Sequence, residues 1–107
     1  MKRYAIDRHP LVRRDFFDIA RLIGEYAGYP VADLKTLEIE SMISGLRQFP
    51  HIGAPRDDVF PGLRAIPTDE KAVICFAVDD DNRVIKIICV TYAGQDWQTI
   101  TRDRRDD

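Results

Sequence analysis

The 107-residue sequence is poor in several features that would assign it to a class of protein. Its two cysteines, Cys75 and Cys89, lie inside apolar runs without close Cys or His neighbours, which excludes a disulfide scaffold and a zinc module and predicts reduced core residues. No stretch approaches the roughly 18 apolar residues that a membrane helix needs, and the N-terminus is charged where a signal peptide is apolar. We therefore expect a cytoplasmic protein with no metal, no other cofactor and no membrane contact.

Neither sign of charge dominates, since 16 Lys and Arg stand against 18 Asp and Glu, for a net charge of -2. Overall charge thus predicts no nucleic-acid partner. Hydrophobic residues make up 45% of the chain and charged residues 32%, which is typical of a folded domain, and the length allows only one. We expect this domain to span residues 1–101. Residues 102–107 include no apolar residue, so we expect a frayed tail there.

The first half of the chain predicts a strand followed by two helices. Residues 3–7 alternate apolar and polar side chains, as a half-buried strand does. One helix is expected from Pro10 to Gly28 and another from Pro30 to Pro50, paired as a hairpin because the linker is so short. Apolar residues recur at helical spacing: Val12, Phe16, Ile19, Ala20, Ile23 and Ala27 in the first helix, and Ile39, Met42, Ile43, Leu46 and Phe49 in the second.

The second half predicts an exposed loop over residues 51–58 and then three strands, at 63–67, 72–79 and 84–92. The last two strands are nearly apolar throughout, which indicates central strands with at least one covered face. Between them, Asp79-Asp80-Asp81-Asn82 is a tight-hairpin signal. The sequence therefore predicts an α+β fold of order β-α-α-β-β-β, with the helical hairpin on one face of a largely antiparallel four-stranded sheet.

Three phrases in this element order, Phe60-Pro-Gly-Leu-Arg64, Val73-Ile-Cys-Phe-Ala-Val78 and Ile87-Ile-Cys-Val-Thr-Tyr-Ala-Gly-Gln-Asp-Trp97, resemble the RelE/ParE family of bacterial toxins. Phe49-Pro50 and the following Gly53 and Arg56 add to the resemblance. It implies the toxin half of a type II toxin-antitoxin pair, bound in a hetero-oligomer by a ParD-like or RelB-like antitoxin. RelE-like members cut messenger RNA in the ribosome, whereas ParE-like members poison DNA gyrase.

A RelE-like ribonuclease would need a base, an acid and cations around the phosphate. The candidates here are Arg64, Arg56 and Tyr92, with His51 as an assisting group. Arg64, Tyr92 and His51 also have plain structural interpretations: a surface ion pair, a packed ring and an exposed loop position, respectively. Asp57 and Asp58 follow Arg56 and would weaken any phosphate-binding field there. Tyr92 stands where many nuclease members carry a histidine, and Gln95 stands where they carry a basic residue.

These departures favour a ParE-like inhibitor that hydrolyses nothing, with a RelE-like ribonuclease or a non-toxic antitoxin-binding module as alternatives. Trp97, the only tryptophan, is a candidate for target binding. So are Arg13 and Arg14, which lie in a basic stretch, residues 1–23, with six basic and three acidic residues. That stretch could instead meet an acidic antitoxin segment or form a solvated network. The candidates for an exposed antitoxin surface, on the hairpin or beside an open sheet edge, are Leu22, Leu34 and Leu37.

Overall fold

A helical hairpin, a short C-terminal helix and a five-stranded sheet make up the computed structural model, which describes residues 3–68 and 71–105. No helix in these two ranges is long and apolar enough to cross a membrane. The elements in chain order are β1 (Ala5–Arg8), α1 (Val12–Ala27), α2 (Tyr29–Gly45), β2 (Ala54–Pro55), β3 (Leu63–Thr68), β4 (Ala72–Asp79), β5 (Val84–Tyr92) and α3 (Trp97–Arg104).

The sheet has the order β1-β5-β4-β3-β2. β1 runs parallel to β5, and the other neighbours are antiparallel. The α+β class and the predicted element order are confirmed, but the sheet is mixed and has five strands instead of four. The extra strand is β2, which pairs Ala54 with Ala65 and Pro55 with Arg64 inside the segment predicted as a loop. Two residues are too few to show the alternation that identifies a strand in a sequence.

The helical hairpin covers one face of the sheet, as predicted. Gly28 joins the two helices with a φ of 96°, a conformation that favours glycine. Two residues assigned to the apolar stripes are exposed. Phe49 is 61% exposed because α2 already ends at Gly45, and Ala27 is exposed at the end of α1. The core on this face consists of Val12, Ile19, Ile23, Ala32, Ile39, Ile43, Leu46, Ile66, Ala72, Ile74, Phe76, Ile85, Ile87 and Val90.

The opposite face of the sheet has its own smaller core, which explains why β4 and β5 are apolar on both sides. Val59 and Phe60 pack there together with Trp97 and Ile100 of α3. Both cysteines are buried on this face as free thiols, as predicted. Residues 102–104, within the segment expected as a frayed tail, form the last turn of α3. Residues 106–107 lie outside the described residues.

A buried ion pair between Asp15 and Arg104 joins both sides of the sheet. The guanidinium donates to the two carboxylate oxygens at 2.6 and 2.8 Å, and each side chain is only 12% exposed. Asp15 also accepts from the Val90 N–H at 3.0 Å, and Arg104 donates to the Ile88 carbonyl at 3.1 Å. β1 pairs with β5 only as far as Ile87. The ion pair therefore satisfies backbone groups on the part of the β5 edge that β1 leaves open.

We expect Asp15→Ala to lower the free energy of unfolding by about 3 kcal/mol, because it leaves the Arg104 charge and the Val90 N–H buried without their acceptor. The matched control is Asp18→Ala, an exposed position on the same helix, where a change within about 0.5 kcal/mol is expected. Urea unfolding followed by circular dichroism measures both. Equal, small effects at the two positions would contradict this role of Asp15.

Candidate functional site

The structure does not bring Arg64 and Tyr92 together. Arg64 pairs with Phe76 of β4, whereas Tyr92 pairs with Ala72 of the same strand. These partners are four residues apart, or about 13 Å along the strand at roughly 3.3 Å per residue. The two side chains thus belong to different ends of the sheet.

Arg64 holds the loop between α2 and β2 by hydrogen bonds. Its Nη1 donates to the His51 carbonyl at 2.9 Å and to the Gly53 carbonyl at 3.3 Å. Gly53 has a φ of 85°, and a Cβ there would lie 2.9 Å from the Ala65 carbonyl oxygen and 2.5 Å from the Ile66 side chain. The residues that carried the family resemblance in this loop therefore have a structural reason to be present.

Arg56 is held between an acid and the indole ring of Trp97. Its Nε and Nη2 donate to the two carboxylate oxygens of Asp58 at 2.9 and 2.8 Å. This bidentate hydrogen bond holds the pKa of Asp58 below its ordinary value. The guanidinium carbon lies 4.8 Å from the centre of the Trp97 ring, a cation–π contact. The paired carboxylate reduces the charge that Arg56 could offer to a phosphate.

His51 belongs to a polar cluster at the hairpin turn between β4 and β5. Its Nε2 lies 2.8 Å from Asp80 Oδ1, and the Tyr4 hydroxyl donates to the same oxygen at 2.6 Å. The Tyr4 hydrogen bond, together with that from His51, lowers the pKa of Asp80, and the carboxylate in turn raises the pKa of Tyr4. The cluster connects the start of β1 and the loop after α2 to this turn. The turn lies at the opposite end of β5 from Tyr92.

An open groove lies where β5 ends and α3 begins, with a volume of about 730 Å³. Trp97 stands half-buried in its wall, and Gln95 accepts from the Tyr92 N–H at 3.0 Å. Asp96 caps α3 by accepting from the Thr99 N–H at 3.2 Å. We call it the Trp97 groove; its lining residues are Pro67, Lys71, Ala72, Val73, Thr91, Ala93, Gly94, Gln95, Asp96, Trp97 and Gln98.

A smaller, mainly apolar slot of about 340 Å³ opens where α1 passes into α2. Tyr26 is 81% exposed beside it, and Lys71 Nζ lies 5.8 Å from the Tyr26 ring centre. Tyr26 and Lys71 were not among the residues that the sequence predicted for antitoxin binding, although Tyr26 follows Leu22 by one helical turn. We call this the hairpin slot, lined by Leu22, Ile23, Tyr26, Ala27, Val31, Lys35, Lys71, Tyr92 and Ala93.

The three leucines proposed for antitoxin binding are all exposed. Leu22 is 49% exposed at the hairpin slot, and Leu34 and Leu37 are 62% and 64% exposed on α2. Arg13 and Arg14 are exposed at the start of α1, and Arg13 lines a separate cavity with Arg8, His9, Pro10, Phe16 and Glu40. Within residues 3–68 and 71–105, no group of three His, Cys, Asp or Glu side chains is placed to hold a metal ion.

The family model for the "ParE toxin of type II toxin-antitoxin system, parDE" matches residues 6–97 of this chain. The chain therefore belongs to the ParE toxin family of type II toxin-antitoxin systems. A search of curated proteins finds no match.

Solved structures of toxins and toxin-antitoxin complexes share the fold. The chromosomal ParDE toxin-antitoxin system from P. aeruginosa aligns at 19% identity with a TM-score of 0.72, over 84% of this chain and 96% of that chain. The toxin-antitoxin complex RelBE2 from Mycobacterium tuberculosis aligns at 15% identity with a TM-score of 0.60, over 85% and 99%. A mutant of the E. coli toxin RelE in the free state aligns at 13% identity with a TM-score of 0.67, over 96% and 97%.

We expect the stabilisation by the Tyr4–Asp80 hydrogen bond to depend on pH. The folded pKa of Asp80 lies below 3.8, so this stabilisation is complete above that value and is lost as the pH falls through the folded pKa. Tyr4→Phe should therefore lower the urea midpoint near neutral pH, and the difference from wild type should shrink in acid. Tyr26→Phe, at an exposed ring, is the control and should show no such trend. A Tyr4→Phe effect that stays constant with pH would contradict the assignment.

Proposed function

We propose that this ParE-family toxin inhibits DNA gyrase by binding it, and that a cognate ParD-like antitoxin holds it inactive. The observation that carries the proposal is that Arg64 and Tyr92, which a ribonuclease would need around one phosphate, lie far apart. Arg56, Arg64 and Tyr92 each satisfy a different part of the fold, as their hydrogen bonds and strand registers describe.

Ribonuclease chemistry requires cations and a proton donor around one phosphate. Arg56 is bound to Asp58 and stacked on Trp97, while Arg64 is bound to two loop carbonyls. Arg64 is directed at the loop after α2 and not at the end of β5, where Tyr92 lies. Cleavage would therefore require both arginines to give up their present partners, so we favour an inhibitor that acts by contact.

The Trp97 groove is the surface that we assign to the target. Trp97 is the first residue of α3 and is only half-buried. The guanidinium of Arg56 fixes its ring from one side. An aromatic ring held rigidly beside an open groove has the character of a binding hot spot, because little side-chain entropy is lost on contact.

We assign the exposed apolar side chains of the helical hairpin to the antitoxin. Leu22 and Tyr26 lie one turn apart on α1, and Leu34 and Leu37 lie close together on α2. Exposed side chains of this size on adjacent helices favour an amphipathic partner segment. Lys71 at the hairpin slot adds positive charge that complements acidic residues in such a segment.

For the target, we expect the purified antitoxin-free toxin to inhibit supercoiling by gyrase at micromolar concentration. Trp97→Ala should weaken inhibition by about thirtyfold, the effect of losing a hot spot worth about 2 kcal/mol. Trp97→Phe retains an aromatic ring and should lose less. Arg64→Ala should leave supercoiling inhibition unchanged if the fold is preserved by circular dichroism. Undiminished supercoiling in the presence of wild-type toxin would contradict the proposal, as would new messenger RNA cuts that Arg64→Ala abolishes.

For the antitoxin, we expect Leu34→Asp and Leu37→Asp to reduce co-purification with the co-expressed antitoxin, because each buries a charge in the proposed apolar interface. Leu11→Asp is the matched control: Leu11 is 41% exposed at the start of α1, where an acidic residue suits the helix N-terminus. Thermal unfolding of each variant checks the fold. Equal antitoxin recovery with all three variants would contradict the assigned surface.

A further inference from the structure

Cys75 and Cys89 form a pair that no part of the proposed function uses. They lie directly opposite each other in the antiparallel ladder of β4 and β5. Opposite residues in such a ladder project to the same face and have Cα atoms about 4.5 or about 5.5 Å apart. Both spacings fall within the roughly 4.4–6.8 Å that a disulfide spans. The ladder is irregular between Cys75 and Phe76, but Cys75 itself stays paired with Cys89. The backbone thus places the two residues opposite each other for bonding without a change in their pairing.

The two side chains share one buried environment. The neighbouring Cys89 thiol raises the pKa of Cys75, as does burial, whereas Cys75 and Thr101 lower the pKa of Cys89. Cys89 Sγ also lies 3.2 Å from the hydroxyl oxygen of Thr101 on α3. These contacts favour Cys89 as the sulfur that ionises and Cys75 as its proton-bearing partner.

We propose that Cys75 and Cys89 are an oxidisable pair that closes to a cross-strand disulfide when α3 lifts from the sheet. With hydrogen peroxide as oxidant, the Cys89 thiolate attacks one peroxide oxygen, the O–O bond breaks, and a sulfenic acid and hydroxide form. The Cys75 sulfur then attacks the Cys89 sulfur, the S–O bond breaks, and water leaves with the Cys75 proton. In total, two thiols and one peroxide give one disulfide and two waters.

α3 controls access to this pair. Both cysteines are 0% exposed, and Thr101 of α3 is also fully buried. The helix is held by the Arg104–Asp15 ion pair and by a hydrogen bond of 3.4 Å from Arg102 to the Val59 carbonyl. Oxidation therefore requires local opening of α3, and its rate reports how often the helix leaves the sheet.

The test exposes the full-length chain to hydrogen peroxide, blocks remaining thiols with N-ethylmaleimide in denaturant and measures the intact mass. We expect wild type to lose two hydrogen atoms, remain monomeric and take up no maleimide. Cys75→Ala should instead trap a sulfenic acid on Cys89 that reacts with dimedone, and Cys89→Ala should react more slowly. Wild type that keeps two maleimide-reactive thiols, or that gains oxygen atoms without losing two hydrogens, would overturn the proposal.

A second variant tests whether α3 limits the oxidation of Cys75 and Cys89. Arg104→Lys loses the bidentate contact with Asp15, so we expect disulfide formation to speed up by about tenfold, the effect of one charged hydrogen bond of roughly 1.5 kcal/mol. Asp103→Asn, at an exposed neighbouring position, is the control and should leave the rate within about twofold. An unchanged rate in Arg104→Lys would overturn the role of α3 as the cover.

Discussion

The ion pair between Asp15 and Arg104 is the constraint on which the rest of the structure depends. β1 is only four residues long, so β5 would present unpaired backbone groups beyond Ile87. Asp15 from one side of the sheet and Arg104 from the other satisfy Val90 and Ile88 there. Because each charge is largely removed from water, each needs the other, and the pair holds α1, β5 and α3 in one arrangement.

The two surfaces that we propose for target and antitoxin follow from that arrangement. With α3 fixed against the second face of the sheet, Trp97 lines the Trp97 groove and Arg56 stacks on its ring. With α1 fixed against the first face, the end of α1 and the start of α2 present exposed apolar side chains to a partner. Target and antitoxin would thus contact different parts of the molecule, and Lys71, which lines both cavities, lies between them.

Local patterns in the sequence were sufficient for the hairpin and the central strands. The spacing of Val12, Ile19 and Ile23 identifies the buried face of α1, and the apolar runs give β4 and β5 their observed limits. α3 could not be predicted in this way, because a contact between residues 89 positions apart holds it in place. The same holds for the candidate site. The sequence could propose Arg56, Arg64 and Tyr92, but strand register separates Arg64 from Tyr92, and Asp58 pairs with the charge of Arg56.

The central claim is that this ParE-family toxin acts on DNA gyrase by contact. The most direct test in cells is to induce the toxin without antitoxin in a bacterial host and pulse-label DNA and protein synthesis in the same culture over the first minutes. The account predicts that DNA synthesis falls first, because gyrase inhibition stops replication before translation is affected. A fall in protein synthesis that precedes any change in DNA synthesis would contradict it and would favour cleavage of messenger RNA in the ribosome.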